Sequence, residues 1–166
     1  MYISSLSLSD FRNYSAESVS FSPYTNIICG NNAQGKTNLL EAVYMFSQGR
    51  SYRTKSDREL IRFGGDHAVI KSEFSSLKRD FSAVIRINRD DKKKISVNNI
   101  AISKLSMLMS YFNTVMFSPE DLELVKGAPG IRRKFTDSAI SQLYPNYLSV
   151  LIDYYKILKQ KNTLLK

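Results

Sequence analysis

The chain has 166 residues, 43% of them hydrophobic, which is the size and apolar content of a protein able to bury a real core. No apolar run approaches the ~18–20 residues that span a bilayer, the start shows no basic-then-apolar leader pattern, and the lone Cys29 excludes an internal disulfide. A cytoplasmic protein without a membrane partner is the expectation. The net charge is +9, and residues 50–104 carry +7 of it with 14 basic against seven acidic residues. That excess favours a polyanionic partner such as DNA, although a lysine-rich turn kept in water for solubility has the same composition.

Residues 2–9 lean towards apolar/polar alternation, which predicts a strand ending near Phe11, and residues 17–21 repeat that character. Pro23-Tyr24-Thr25 makes a turn into Asn26-Ile27-Ile28-Cys29, a short apolar run of buried-strand type. It leads directly into Gly30-Asn31-Asn32-Ala33-Gln34-Gly35-Lys36-Thr37, which spells GxxxxGK[ST], the Walker A phosphate-binding loop. Gly30 and Gly35 let the backbone adopt positive φ and bring N–H groups around a phosphate with no Cβ in the way. Lys36 sets a point charge against the β- and γ-phosphates, and Thr37 offers a hydroxyl to Mg²⁺. The positive end of the following helix completes the anion site. Leu39, Leu40, Val43, Tyr44 and Phe46 recur at helical spacing, as that helix requires. ATP with Mg²⁺ is therefore the expected cofactor pair.

A polar stretch over 48–56 precedes a short predicted helix over 57–63, closed by Gly64-Gly65. Strand candidates at 68–74, 81–87, 94–97 and 100–102 form an antiparallel set, with turns at Asn88-Arg89-Asp90-Asp91 and Asn98-Asn99. From Ser103 the chain is largely helical, apart from a predicted strand over 113–117. Ser118-Pro119-Glu120-Asp121 is a helix start, with a serine cap, proline at the first position and acids in the first turn. Gly127-Ala128-Pro129-Gly130 separates that helix from one over 131–143. A last helix opens at Pro145, with Leu148, Leu151, Ile152, Tyr155, Leu158 and Leu165 as its apolar stripe, and still runs at Lys166, so the chain looks cut. The expected division is a nucleotide-binding lobe over 1–102 and a helical lobe over 103–166.

A P-loop NTPase also needs an acid at the end of a buried strand for Mg²⁺. Val150-Leu151-Ile152-Asp153 matches in text but lies inside the last helical stripe, where a surface Asp153 is the better account. No Asn is followed by Lys, so a guanine-specificity element is absent, and His67 has no metal-ligand companions. No catalytic residue is assigned. On these residues alone, a small P-loop kinase or phosphotransferase acting on a metabolite stays open as the alternative to a DNA-associated ATPase.

Several strings occur together in one order. They are Asp10-Phe11-Arg12-Asn13-Tyr14, Asn31 to Ala42, Arg50-Ser51-Tyr52-Arg53-Thr54, Phe117-Ser118-Pro119-Glu120-Asp121-Leu122, Gly127-Ala128-Pro129 with Arg132-Arg133, and Tyr155-Lys156 to Lys166. Together they resemble the RecF family of bacterial recombination mediators, over the whole chain but only the N-terminal part of that family's length. The resemblance implies an α/β fold of the ABC-type, SMC-like ATPase head class: antiparallel strands beside the P-loop sheet, then a helical lobe. Its parallel core sheet, signature motif and Walker B acids would be incomplete here. It also implies ATP-dependent DNA binding in repair, replication and SOS induction, a slow DNA-dependent ATPase in the intact protein, and no turnover by this portion alone. The implied partners are duplex DNA and single-strand/duplex junctions, the RecR and RecO proteins, and a second copy bound through ATP. Carried over residue by residue, Gly30, Asn31, Asn32, Ala33, Gln34, Gly35, Lys36 and Thr37 hold the triphosphate, with Asn38 just behind. Arg12 could reach phosphate and Asn13 the base or ribose. Arg50, Arg53, Lys92, Lys93 and Lys94 are the candidate DNA contacts.

Overall fold

The computed structural model describes residues 1–165, without the side chain of Glu120, and divides into two compact units, Met1–Phe112 and a second beginning at Asn113. The first unit is built on one six-stranded antiparallel sheet of order β2-β1-β3-β4-β5-β6. Its strands are β1 (Tyr2–Phe11), β2 (Tyr14–Ser20), β3 (His67–Ser76), β4 (Arg79–Asn88), β5 (Lys94–Val97) and β6 (Ile100–Ala101). Period-two alternation decides which face is dry: Leu6, Leu8, Ala68, Ile70, Phe74, Ala83, Ile85 and Ile87 are buried, while Ser5, Ser7, Lys71, Glu73 and Arg86 take the other face.

Helix α1 (Lys36–Gln48) covers the dry face with Leu39, Ala42, Met45 and Phe46, joined by Leu108 of α2 (Leu105–Met109) and by Phe112. Phe112 stands edge-on to Phe74 at 4.9 Å and to Phe46 at 6.1 Å. Gly49 ends α1 in the left-handed conformation (φ 61°), its N–H donating to the Met45 carbonyl. The antiparallel strands thus form as expected, and the sheet contains no parallel pair among the described residues.

Three expectations change. Residues 26–29 form no strand: Ile27 is 86% exposed and Cys29 is exposed, because no strand of the described residues lies beside them to accept their backbone pairs. The helix after residue 56 is a single 3₁₀ turn, Asp57–Leu60. Ile61 then leaves it to bridge Phe11, and the Arg62 N–H donates to the Asp10 carbonyl at 2.8 Å. Residues 113–117 also form no strand, with Val115 100% and Phe117 81% exposed.

The second unit is helical. A 3₁₀ turn at Pro119–Leu122 runs into α3 (Glu123–Lys126), followed by α4 (Pro129–Leu143) and α5 (Pro145–Leu164). The Ser118 N–H and hydroxyl both donate to Asp121 Oδ2, at 2.6 and 3.1 Å, so the acid closes the turn on the serine, whose hydroxyl is a donor here and not the acceptor expected of a serine cap. Asp153 is on α5, so the textual Walker B match is helical. The end of the predicted last helix, at Lys166, lies outside the described residues. No described helix is long and apolar enough to cross a membrane.

Candidate functional site

The loop from Gly30 to Gly35 curls at the start of α1, and its backbone explains its residues. Gly30 (φ 145°), Ala33 (φ 65°) and Gly35 (φ 105°) all take positive φ. Gly35 is fixed twice over: a Cβ there would lie 2.7 Å from the Tyr14 ring and 2.9 Å from Asn13 Oδ1. Within the curl, Lys36 Nζ donates to the carbonyls of Gly30 (2.7 Å) and Asn31 (2.6 Å), so the ammonium is held at the loop's centre. Thr37 follows in the first turn and is exposed, as are Asn31, Asn32, Ala33 and Gln34. An exposed hydroxyl one residue after that lysine suits a Mg²⁺ ligand.

The β1–β2 turn, Arg12-Asn13, packs against this loop. Arg12 has φ 55°, uncommon for a non-glycine residue, and its backbone N–H donates to the Leu60 carbonyl at 2.8 Å. Its guanidinium is committed to Glu41 on α1, with Nε to Oε2 at 3.0 Å and Nη2 to Oε1 at 2.7 Å, and it donates to the Glu59 carbonyl at 2.9 Å. Arg12 therefore spends its charge on a buried carboxylate in this structure. Asn13 Oδ1 accepts from Asn38 Nδ2 at 2.8 Å. Beside them, partial burial and then the nearby Glu17 charge raise the Tyr14 phenol above its ordinary pKa.

Arg53 lies in the same cluster. Its Nη1 donates to Asn38 Oδ1 (2.7 Å) and to Glu41 Oε2 (3.3 Å). The Ser51 hydroxyl donates to Glu41 Oε1 and accepts from the backbone N–H groups of Arg53 (2.9 Å) and Thr54 (3.1 Å). Arg50 is exposed. The lysine run sits elsewhere, at the β4–β5 turn. Lys93 makes a two-oxygen ion pair with Asp57 (2.9 and 2.8 Å), Lys94 pairs with Asp91 (2.9 Å), and Lys92 is exposed. Lys93 is thus a buttress of the 3₁₀ turn, not part of a uniformly solvated tip.

Thus the loop, Asn13, Asn38, Arg12 and Arg53 form one constellation, while Lys92, Lys93 and Lys94 belong to another. Sequence reasoning misses its hub, Glu41, which is 0% exposed, and with it Ser51. The available signal is position: Glu41 lies four and seven residues before buried Met45 and Gln48, so an acid occupies the inward stripe of α1.

Comparison with known proteins follows the same outline. The AAA ATPase domain family matches residues 1–164. The chain is 47% identical over 166 residues to the "DNA replication and repair protein RecF" of Oenococcus oeni, covering 44% of that protein. It is also 47% identical to the protein of the same name from Clostridium acetobutylicum, covering 46% of it. It therefore spans a little under half the length of these curated relatives. Among solved structures, the recombination mediator protein RecF-ATP in the RecFOR pathway superposes with a TM-score of 0.91 at 34% identity, over 99% of this chain and 44% of that one. An SMC ATPase structure, at 20% identity and TM-score 0.69 over 84% of this chain, shares the fold.

Proposed function

The chain belongs to the AAA ATPase domain family, and from that premise we propose that it is the ATP-binding N-terminal portion of a RecF-like recombination mediator that binds DNA during repair, replication restart and SOS induction. One observation carries the reading: Gly35 at φ 105° opens α1 while Lys36 Nζ sits inside the loop on two carbonyls, at 2.7 and 2.6 Å. That is a cation at the centre of a ring of backbone groups, on the positive end of a helix, which is what a triphosphate requires. The relatives' names and the RecF-ATP likeness support the same ligand.

In this reading Lys36 would meet the β- and γ-phosphates, and residues 30–35 would cradle them with backbone N–H groups. Thr37 would hold Mg²⁺ through its hydroxyl, and the ion would supply positive charge against the triphosphate. Asn13 would face the nucleotide from the β1–β2 turn. ATP would act chiefly as a dimerisation switch between two copies of the intact protein, because a ligand that binds one state better shifts the population towards it. Duplex DNA and its single-strand junctions, the RecR and RecO proteins, and a cytoplasmic setting complete the proposal. A metabolite phosphotransferase finds no support in the comparisons, which match the AAA ATPase domain family and RecF proteins.

The decisive experiment is Lys36→Ala. Binding of a fluorescent ATP analogue should fall at least roughly tenfold, the scale of one charge-assisted contact. Unchanged affinity in a folded variant would overturn the reading.

A further inference from the structure

Among the described residues Glu41 is the only fully buried charged side chain, and both of its carboxylate oxygens are fully used. Oε1 accepts from Arg12 Nη2 and the Ser51 hydroxyl, and Oε2 from Arg12 Nε and Arg53 Nη1. Four donors on one carboxylate exhaust its lone pairs, which a buried charge requires. Arg53 is thereby anchored although its side chain is 42% exposed.

Arg53 also carries information in its chemistry. A guanidinium has donors only. Its 2.7 Å contact therefore fixes the Asn38 amide with oxygen towards Arg53 and the amino group on the other side. That amino group donates to Asn13 at 2.8 Å, so the atom of Asn13 facing it must be oxygen. The remaining terminal group of the Asn13 amide is then NH₂, a donor. Asn13 is exposed and its oxygen end abuts Gly35, the last glycine of the phosphate loop. Two amides whose orientation would otherwise be interchangeable are thus set by one arginine. Were both to flip, Asn13 would present an oxygen, which repels phosphate and cannot donate to a ribose or base acceptor.

Resting on the nucleotide reading above, we infer that Arg53, anchored by Glu41, is a positioning residue that sets the Asn38 and Asn13 amides so that Asn13 presents a donor to bound nucleotide. The segment carrying Arg53 is in this way tied to the nucleotide site through hydrogen-bond polarity, without touching the ligand.

A double-mutant cycle on the full chain tests this, with a mant-labelled ATP as probe. Arg53→Met and Asn13→Ala should each weaken binding about three- to tenfold, the scale of one hydrogen bond to a ligand. The double variant should bind no more weakly than the weaker single, because both remove the same oriented donor. Effects that multiply would overturn the inference, as would unchanged binding in either single variant. Asn38→Ala is the second probe: it removes the amide that joins Arg53 to Asn13, and adding Arg53→Met to it should weaken binding no further. Lys36→Ala separates the two levels. If it leaves binding unchanged, the nucleotide reading fails and the relay with it; if it weakens binding while the cycle is multiplicative, the relay alone fails.

Discussion

Gly30 and Gly35 occupy equivalent places in the motif but are constrained differently. At Gly30 a Cβ would meet open space, so only the backbone conformation resists substitution; at Gly35 the same atom would strike Tyr14 and Asn13. Gly30→Ala should therefore cost about 1–3 kcal/mol of positive-φ strain. Gly35→Ala should cost more, because strain and steric overlap add, and it should abolish binding of the ATP analogue by displacing the β1–β2 turn. Urea midpoints of the two variants check this, and equal destabilisation would contradict the packing of Tyr14 on the loop. Glu41 is the opposite kind of residue, a charge that the fold surrounds. Replacing it with Ala leaves two guanidiniums facing each other with no counter-ion, and the expected destabilisation is about 3–5 kcal/mol, the scale of breaking a buried pair by deleting one partner. A value below about 1 kcal/mol in the same urea titration would mean the cluster is solvated.

At the scale of elements, the β3–β4 hairpin shows how tertiary pairing overrides local preference. Its two turn residues, Leu77 and Lys78, both have positive φ (51° and 61°), the conformation that favours Asn-Gly, and Leu77 is exposed. The continuous pairing from His67–Asn88 to Ser76–Arg79 holds that turn in place. Replacing Leu77-Lys78 by Asn-Gly should stabilise the unit by about 1 kcal/mol, visible as a higher melting temperature; a fall would mean that Leu77 packs against something. The β5–β6 turn, Asn98 and Asn99 with φ 48° and 64°, already has the favoured residues and is legible in the sequence for that reason. So are β1, α1 and the Ser118 turn, where periodicity, loop motif and the Ser-Pro-x-Asp turn residues state their structure locally. Ile27-Ile28-Cys29 and residues 113–117 mislead because an apolar run reports only a preference for burial, and burial needs a neighbour that sequence period does not supply. The phosphate loop is legible as a motif. The role of Glu41 and the Asn38–Asn13 chain are not, because they arise from side chains far apart in sequence, 29 residues for Arg12–Glu41 and 25 for Asn13–Asn38.

For the whole molecule, the positive charge concentrated between residues 50 and 104 divides by structure into engaged and available groups. Arg53 and Lys93 are committed to Glu41 and Asp57, while Arg50 and Lys92 are exposed. If DNA is the polyanion, exposed charges should set its affinity and engaged ones should set stability. Binding of the chain to duplexes of different sequence should fall with salt, and each phosphate left unneutralised by a variant should reduce the log–log salt slope by about 0.9. Arg50→Glu and Lys92→Glu should lower that slope and weaken all sequences alike, because phosphate contacts carry no base information. Lys93→Glu should leave the slope nearly unchanged and instead cost on the order of 1 kcal/mol, since it sets a second carboxylate against Asp57 beside the turn that Lys93 buttresses. Fluorescence anisotropy at several salt concentrations, with a melting curve for each variant, separates the two effects. If Lys93→Glu alone flattens the salt dependence, then Lys93 leaves Asp57 to meet phosphate, and the β4–β5 turn is the binding surface. If no variant changes the slope, the excess charge serves solubility and the DNA-binding surface lies outside this stretch.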